Sequence, residues 1–171
     1  MKTITGNGGN VVDTDFHVLT WTGKTKGGQA CKITLENAIN KGNIDWALAE
    51  KDEVVPALEF EACYNNTDSQ ADEKTTCPWK IEIEGEVAAG AKEILLGLGA
   101  FAIDEKEVAL VRGGGKFTVE RTFRDIKADG DKGSVKDRVV IDEERAKLSL
   151  NALTMLTSIK SMYPALTEAT Q

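Results

Sequence analysis

Val54–Tyr64, VVPALEFEACY, alternates cleanly: Leu58, Phe60, Ala62 and Tyr64 fall on one side, with Glu59 and Glu61 between them on the other. Successive side chains of a strand point to opposite faces, so a period of two predicts a half-buried antiparallel strand. Pro56 is tolerable near its start. The rhythm recurs on both sides. Downstream, Trp79, Ile81 and Ile83 alternate with Lys80, Glu82 and Glu84. Upstream, Phe16–Thr22 (FHVLTWT) and Cys31–Glu36 (CKITLE) are rich in β-branched and aromatic residues, and the intervening GKTKGGQA has the glycines of a hairpin connection.

The second half reads the same way. Lys92–Ile103 (KEILLGLGAFAI) and Val108–Arg112 flank a turn at Asp104–Glu107, and Phe117, Val119 and Phe123 alternate with Thr118, Glu120 and Thr122. Asp125–Gly133 (DIKADGDKG) is a turn-rich loop, Ser134–Ile141 a strand, and Leu148 and Leu150 alternate with polar neighbours. From Leu153 the spacing turns helical through Leu156, Ile159 and Met162 or Tyr163, and Pro164 stops the helix. Asn37–Asp52 admits two readings, a short helix capped by Asn43 or a twisted edge strand, with the helix preferred. Asn65–Pro78 holds almost nothing apolar and is expected to be a long exposed loop.

About eight strands with regular turn signals predict a mainly β fold: a β-sandwich or barrel of two antiparallel sheets with one or two flanking helices. The expected layout is a flexible arm over residues 1–15, a single domain over residues 16–163 and a tail over residues 164–171. Two halves, 16–84 and 92–163, are joined by the glycine-bounded linker 85–91.

An apolar share of 41% and a charged share of 29% in 171 residues suit an ordinary globular chain. No stretch nears the ~20 apolar residues of a membrane span, and MKTITGNGGN lacks the apolar centre of a secretory signal, so a protein made and kept in the cytoplasm is expected. Cys31, Cys63 and Cys77 are sparse, odd in number and without a CxxC pair, which disfavours a disulfide framework and a zinc site. Asn65-Asn66-Thr67 matches a glycosylation acceptor only by chance. The net charge of −7 is uneven: residues 1–85 hold 8 Lys+Arg against 14 Asp+Glu, and residues 86–171 hold 13 against 14. Such a surface repels nucleic acid, since affinity for DNA comes largely from cations at phosphates.

No enzyme signature stands out. His17 is the only histidine, and it reads as a solvent-facing strand residue. Gly113-Gly114-Gly115-Lys116 is not a phosphate loop, because Leu110 and Phe117 occupy the places of the required glycine and Ser or Thr. It reads as a flexible turn between strands with Arg112 and Lys116 at its base. Asp125, Asp129 and Asp131 lack the spacing of a calcium loop, and a plain Asp-Gly turn is expected. Glu59/Glu61 and Glu82/Glu84 are i, i+2 pairs on solvated strand faces. Neither a metal nor a cofactor is expected.

VALVRGGGKFTVERTFRDIKADGDKGSVKDRVVIDEERAKLSLNAL (Val108–Leu153) resembles the major tail proteins of long-tailed bacteriophages. The likeness lies in the order of elements: a short hairpin, a glycine turn, FTVER, ADGDKG, VKDRVVID and AKLSLNAL. It covers most of residues 93–163, and Lys32–Tyr64 is similar to another part of those proteins. Their order is reversed here, with GEVAAG joining the halves, which suggests a circular permutation, natural or engineered.

The resemblance implies a structural protein of the virion tail, assembled in the bacterial cytoplasm, in which six copies close into a ring. Rings then stack into a hollow tube through which DNA passes without specific binding. It implies a tail terminator, tape-measure and baseplate proteins as further partners, and no membrane. On that expectation Glu59, Glu61, Glu82 and Glu84 line the lumen. Asn65, Asp68, Asp72 and Lys74 lie on an inter-subunit loop, and Arg112, Lys116, Asp129 and Asp131 at turns near the interface. The arm 1–15 and the tail are expected to gain order only against another subunit. The rival readings are a monomeric immunoglobulin-like binding module with Trp21, Trp46 or Trp79 in a concave patch, and a tube protein of a related injection or secretion particle.

Overall fold

The computed structural model describes residues 2–6, 8–9, 11–46, 48, 53–65, 77–85, 90, 94–107, 111–153 and 159–170. Among them are ten strands in two antiparallel sheets, a 3-10 turn at Asp13–Asp15 and a short helix, Ile159–Met162. The strands are β1 (Lys2–Gly6), β2 (His17–Thr25), β3 (Ala30–Asn40), β4 (Ala57–Ala62), β5 (Trp79–Ile83), β6 (Leu95–Ile103), β7 (Lys106–Glu107), β8 (Val111–Asp125), β9 (Val139–Ala152) and β10 (Leu166–Thr170). The fold is mainly β, as the alternation predicts.

The larger sheet runs β7-β6-β2-β3-β4-β9-β8, and β5 also pairs with β3. Two strands share β3 end to end: β5 takes Cys31–Leu35 and β4 takes Ala38–Asn40. Between them Asn37 adopts left-handed backbone (φ 49°), and the β2–β3 register slips there. This bulge resets which side chains face inward. The sheet then folds over on itself into a sandwich. Gly115 of β8 and Phe101 of β6 belong to opposite ends of the strand order, yet a Cβ at Gly115 would stand 2.5 Å from the Phe101 ring.

Between the layers lie Leu19, Trp21, Ile33 and Leu35 from β2 and β3, Leu58 and Phe60 from β4, Phe101 and Ile103 from β6, and Ala146, Leu148 and Leu150 from β9. Ile159, Met162 and Tyr163 of the helical segment complete this core. One buried polar residue locks the helix on. Asn40 donates from Nδ2 to the Met162 carbonyl at 2.7 Å, while its Oδ1 accepts from the Gly42 N–H at 2.8 Å.

Several expectations need correction. The arm 1–15 and the tail were expected to be ordered only by another subunit; instead β1 and β10 pair with each other over five residues, Lys2 opposite Thr170 and Gly6 opposite Leu166. Asn37–Asn40 continues strand β3 in place of the preferred helix, and residues 41–46 are irregular. The glycine run is not a turn between strands. Gly113 and Gly114 (φ 80° and 77°) form a bulge inside the continuous β8, where only glycine takes such backbone without strain. The strand expected over Ser134–Ile141 begins only at Val139. The helix expected from Leu153 is present over Ile159–Met162, and residues 154–158 of that expectation lie outside the described residues. Among the described residues no helix is long and apolar enough to cross a membrane.

Candidate functional site

Beyond the body of the sandwich, β8 and β9 continue as a two-stranded arm. β4 pairs only with Lys147–Asn151 of β9, so among the described residues Val139–Ala146 has β8 as its sole strand neighbour. A bulge between Thr122 and Phe123 puts Phe123 directly opposite Ile141. The two are 60% and 37% exposed, and Val139, two residues further along the same face, is 45% exposed. Arg124 donates from Nε to both oxygens of Asp142 at 2.9 and 3.0 Å. A two-stranded ribbon is marginal on its own in water, and an apolar stripe open to solvent adds to that burden. At the tip, Asp131 accepts from the Ala128 N–H and from Arg138, and Gly130 (φ 92°) completes the Asp-Gly turn.

Where the arm leaves the body, Glu144 is held by three donors. Trp79 Nε1 of β5 donates to its Oε1 at 2.7 Å, Cys77 Sγ approaches the same oxygen at 3.6 Å, and Arg121 Nε of β8 donates to Oε2. The Trp79 and Phe117 rings meet alongside, with centroids 5.7 Å apart. Partial burial pushes the Glu144 carboxyl up, but the bonds from Trp79 and Arg121 outweigh it, and the net shift is downward from the usual value. The Cys77 thiol moves the other way, raised first by burial and further by the Glu144 charge.

The residues singled out from the sequence scatter over this frame. Glu59 and Glu61 lie on the outer face of β4, with Leu58 and Phe60 in the core behind them. That face is not simply acidic. Lys41 bonds Glu61 at 2.6 Å, Lys147 sits 3.2 Å from Glu120 and 3.8 Å from Glu59, and Arg145 pairs with Glu143, so four carboxylates meet three cations. The bond to Glu120 raises the Lys147 ammonium above the ordinary lysine value. Glu82 of β5 and Glu84 just after it lie at the other end of β3, and Lys80 reaches both Glu82 (3.7 Å) and Glu36 (3.9 Å). Arg112 pairs with Glu53 at 3.0 Å, and Asp129 and Asp131 belong to the arm's tip. Asp68, Asp72 and Lys74 lie outside the described residues, and Asn65 stands at their border.

His17 is not the solvent-facing residue that its strand position suggests. Its Nδ1 meets Asp104 Oδ2 at 2.6 Å, the ring is largely buried, and Nε2 has no hydrogen-bond partner. Asp104 also accepts from the Val18 N–H at 2.8 Å, so the pair ties the β6–β7 turn to the start of β2. Between the sheet layers a half-open cavity of about 210 Å³ is lined by Trp21, Ile33, Leu95, Phe101, Phe117 and Leu148. Trp21 is core, and Trp79 and Trp46 pack against its margin. Among the described residues no three of His, Cys, Asp and Glu gather in a way that could hold a metal ion.

No local sign of the arm's exposed stripe is present in the sequence, since Phe123, Val139 and Ile141 look like core residues of ordinary strands. Glu144 was missed too: it sits in a charged run, Asp142–Arg145, and its partner Trp79 is 65 residues away. No protein-family model, curated protein or solved structure matches the chain.

Proposed function

We propose that the chain is a structural subunit that self-assembles into stacked six-membered rings, forming a tube similar to those of long-tailed phages, through which DNA passes without being gripped. The observation that carries this reading is the β8–β9 arm, whose Phe123, Ile141 and Val139 offer an apolar stripe that none of the described residues buries. Sheet borders that no described strand pairs support it. β8 ends the strand order on one side, and on the other β7 pairs only with Ala102 and Ile103 of β6. Open edges invite another strand, and a heterologous edge-to-edge contact closes into a ring when the rotation allows.

The lumen on this reading is lined by mixed charge. Carboxylates already neutralised by Lys41, Lys147 and Arg145 neither attract phosphates nor repel them strongly, which suits a passage in which DNA slides. The permuted order belongs to the same reading. Gly85 and Gly90 are exposed, as parental ends would be, and β10 lies beside β1, as strands once joined by a turn would.

The test is sedimentation and negative-stain imaging of the purified chain at rising concentration. Rings of six or tubes are the expected result, and a monomer at millimolar concentration would remove the proposal. The aromatic-lined cavity favours one rival, the monomeric binding module. Its lining carries few polar groups to orient a ligand, and a persistent monomer that takes up a small apolar probe would favour that reading instead.

A further inference from the structure

We infer that Glu144 is a positioning residue: it fixes the angle of the β8–β9 arm against the sandwich, and so sets how readily the arm's apolar stripe engages a second copy of the chain. The second half of this statement rests on the self-assembly reading above; the first half does not.

The argument starts from what else could hold the arm. Along Val139–Ala146 no strand of the body pairs with β9 among the described residues. Among the described residues the polar contacts that bridge arm and body there are side-chain ones, from Trp79 of β5 and Cys77 just before it to Glu144, with the Trp79 ring against Phe117. An indole N–H given to an ionised carboxylate is stronger and more directional than a neutral bond, and Arg121 keeps that carboxylate charged and oriented from the arm's own side. Glu144 is thus the point at which a hinge between ribbon and body is stopped. Mostly buried itself, it leaves an unpaired indole donor behind if its length is changed, and if its charge is removed it offers Trp79 only a weaker, neutral acceptor and Arg121 no counter-charge.

An arm held at one angle presents Phe123, Ile141 and Val139 in one orientation. A free arm spreads them over many, and the loss of that freedom then counts against association.

The test compares the full chain with its Glu144→Gln and Trp79→Phe variants. Spin labels are attached at Asp129→Cys on the arm's tip and Thr22→Cys on the body, in a background carrying Cys63→Ser and Cys77→Ser, where the serine hydroxyl keeps a donor beside Glu144. The background with Glu144 and Trp79 intact should give a narrow tip-to-body distance distribution, and both variants a broader one, with circular dichroism and melting of the sandwich nearly unchanged. The assembly concentration, measured in parallel without labels, should rise about tenfold, the scale of one lost charged hydrogen bond. Distributions as narrow as the parent's overturn the inference. So does a loss of melting temperature without broadening, which is what a merely structural contact would give. A parent chain that never assembles defeats the tube reading, while the distance widths still decide the role of Glu144.

Discussion

The indole of Trp21 lies against Gly99 of the neighbouring strand so closely that a Cβ there would stand 2.5 Å from the ring and 2.6 Å from the Thr22 carbonyl. Gly23, on the same strand as Trp21, is equally crowded, with ring atoms 2.3 Å from its would-be Cβ. The large ring thus spans two strands by occupying the space that their missing side chains leave. Gly99→Ala should destabilise the fold by about 1–3 kcal/mol, the usual penalty for overpacking a close-packed interior. Urea denaturation checks this, and an unchanged midpoint would show that the ring can move aside. Gly97, next but one along the strand, has open space and is the control: Gly97→Ala should be nearly neutral.

Asn40→Ala should cost about 2 kcal/mol or more. It removes the donor to the Met162 carbonyl and the acceptor for Gly42, both in a buried setting where the orphaned partners are desolvated. Hydrogen exchange should show the amides around Tyr163 losing protection before those of β2, since the helical segment then loses its bond to β3.

Phe123→Ser should leave the monomer as stable as the parent, because the ring is mostly exposed and supports little of the fold. Its effect should appear in association. Losing a large apolar side chain from an interface costs roughly 1.5–3 kcal/mol, so the assembly concentration should rise by about ten- to a hundredfold in analytical ultracentrifugation. Equal assembly by both proteins would mean that the arm is not the contact.

Acid should undo the contact between arm and body. The Glu144 carboxyl titrates below 4.5 in the folded chain, so its contribution is complete above that pH and is lost as pH falls through the depressed folded value. Arg121 and Cys77 are the charged and titratable groups facing it, and neither loses charge in that range. The stability gap between the parent and Glu144→Gln should therefore be constant near neutrality and close as pH falls through the depressed folded value. A gap that persists there would assign the effect to shape and not to charge.

Cys31 is buried in the core with its thiol raised by desolvation, and Cys63 and Cys77 are half-buried and raised as well. Since the thiolate is the reactive form, a disulfide reagent at pH 8 should modify Cys31 only on unfolding, and Cys63 and Cys77 slowly. Rapid labelling of Cys31 would contradict the burial of β3.

What could be read in advance was whatever repeats locally. Leu58, Phe60 and Ala62 alternate because one face of β4 is buried and the other wet, and that rhythm is present in any short window. The end of β3 escaped because Asn37 breaks the rhythm: one left-handed residue shifts the phase, and a strand with a phase shift looks like a helix of uncertain period. β1 and β10 escaped for another reason. KTITG and LTEAT carry one apolar residue of any size each, Ile4 and Leu166, too few to show a period, and what makes them strands is chiefly each other, across 160 residues or more. The candidate site was legible only in its materials. The carboxylates of β4 and β5 were visible, but not the cations beside them, since Lys147 and Arg145 arrive from a strand far along the chain. Nor could exposure of Phe123 be read from its neighbours, since it depends on where β4 stops.

The pairing of β1 with β10 also has a mechanical meaning. Lys2 and Thr170 are cross-strand neighbours, so a load drawing these two residues apart acts across the ladder and not along it. It opens one rung at a time from Lys2 toward Gly6, the easy direction for breaking a ribbon, while the larger sheet bears no tension until all five rungs have parted. Pulled through Lys2 and Thr170, the fold would give way first by a short, soft unzipping, and its sandwich would feel the pull only afterwards.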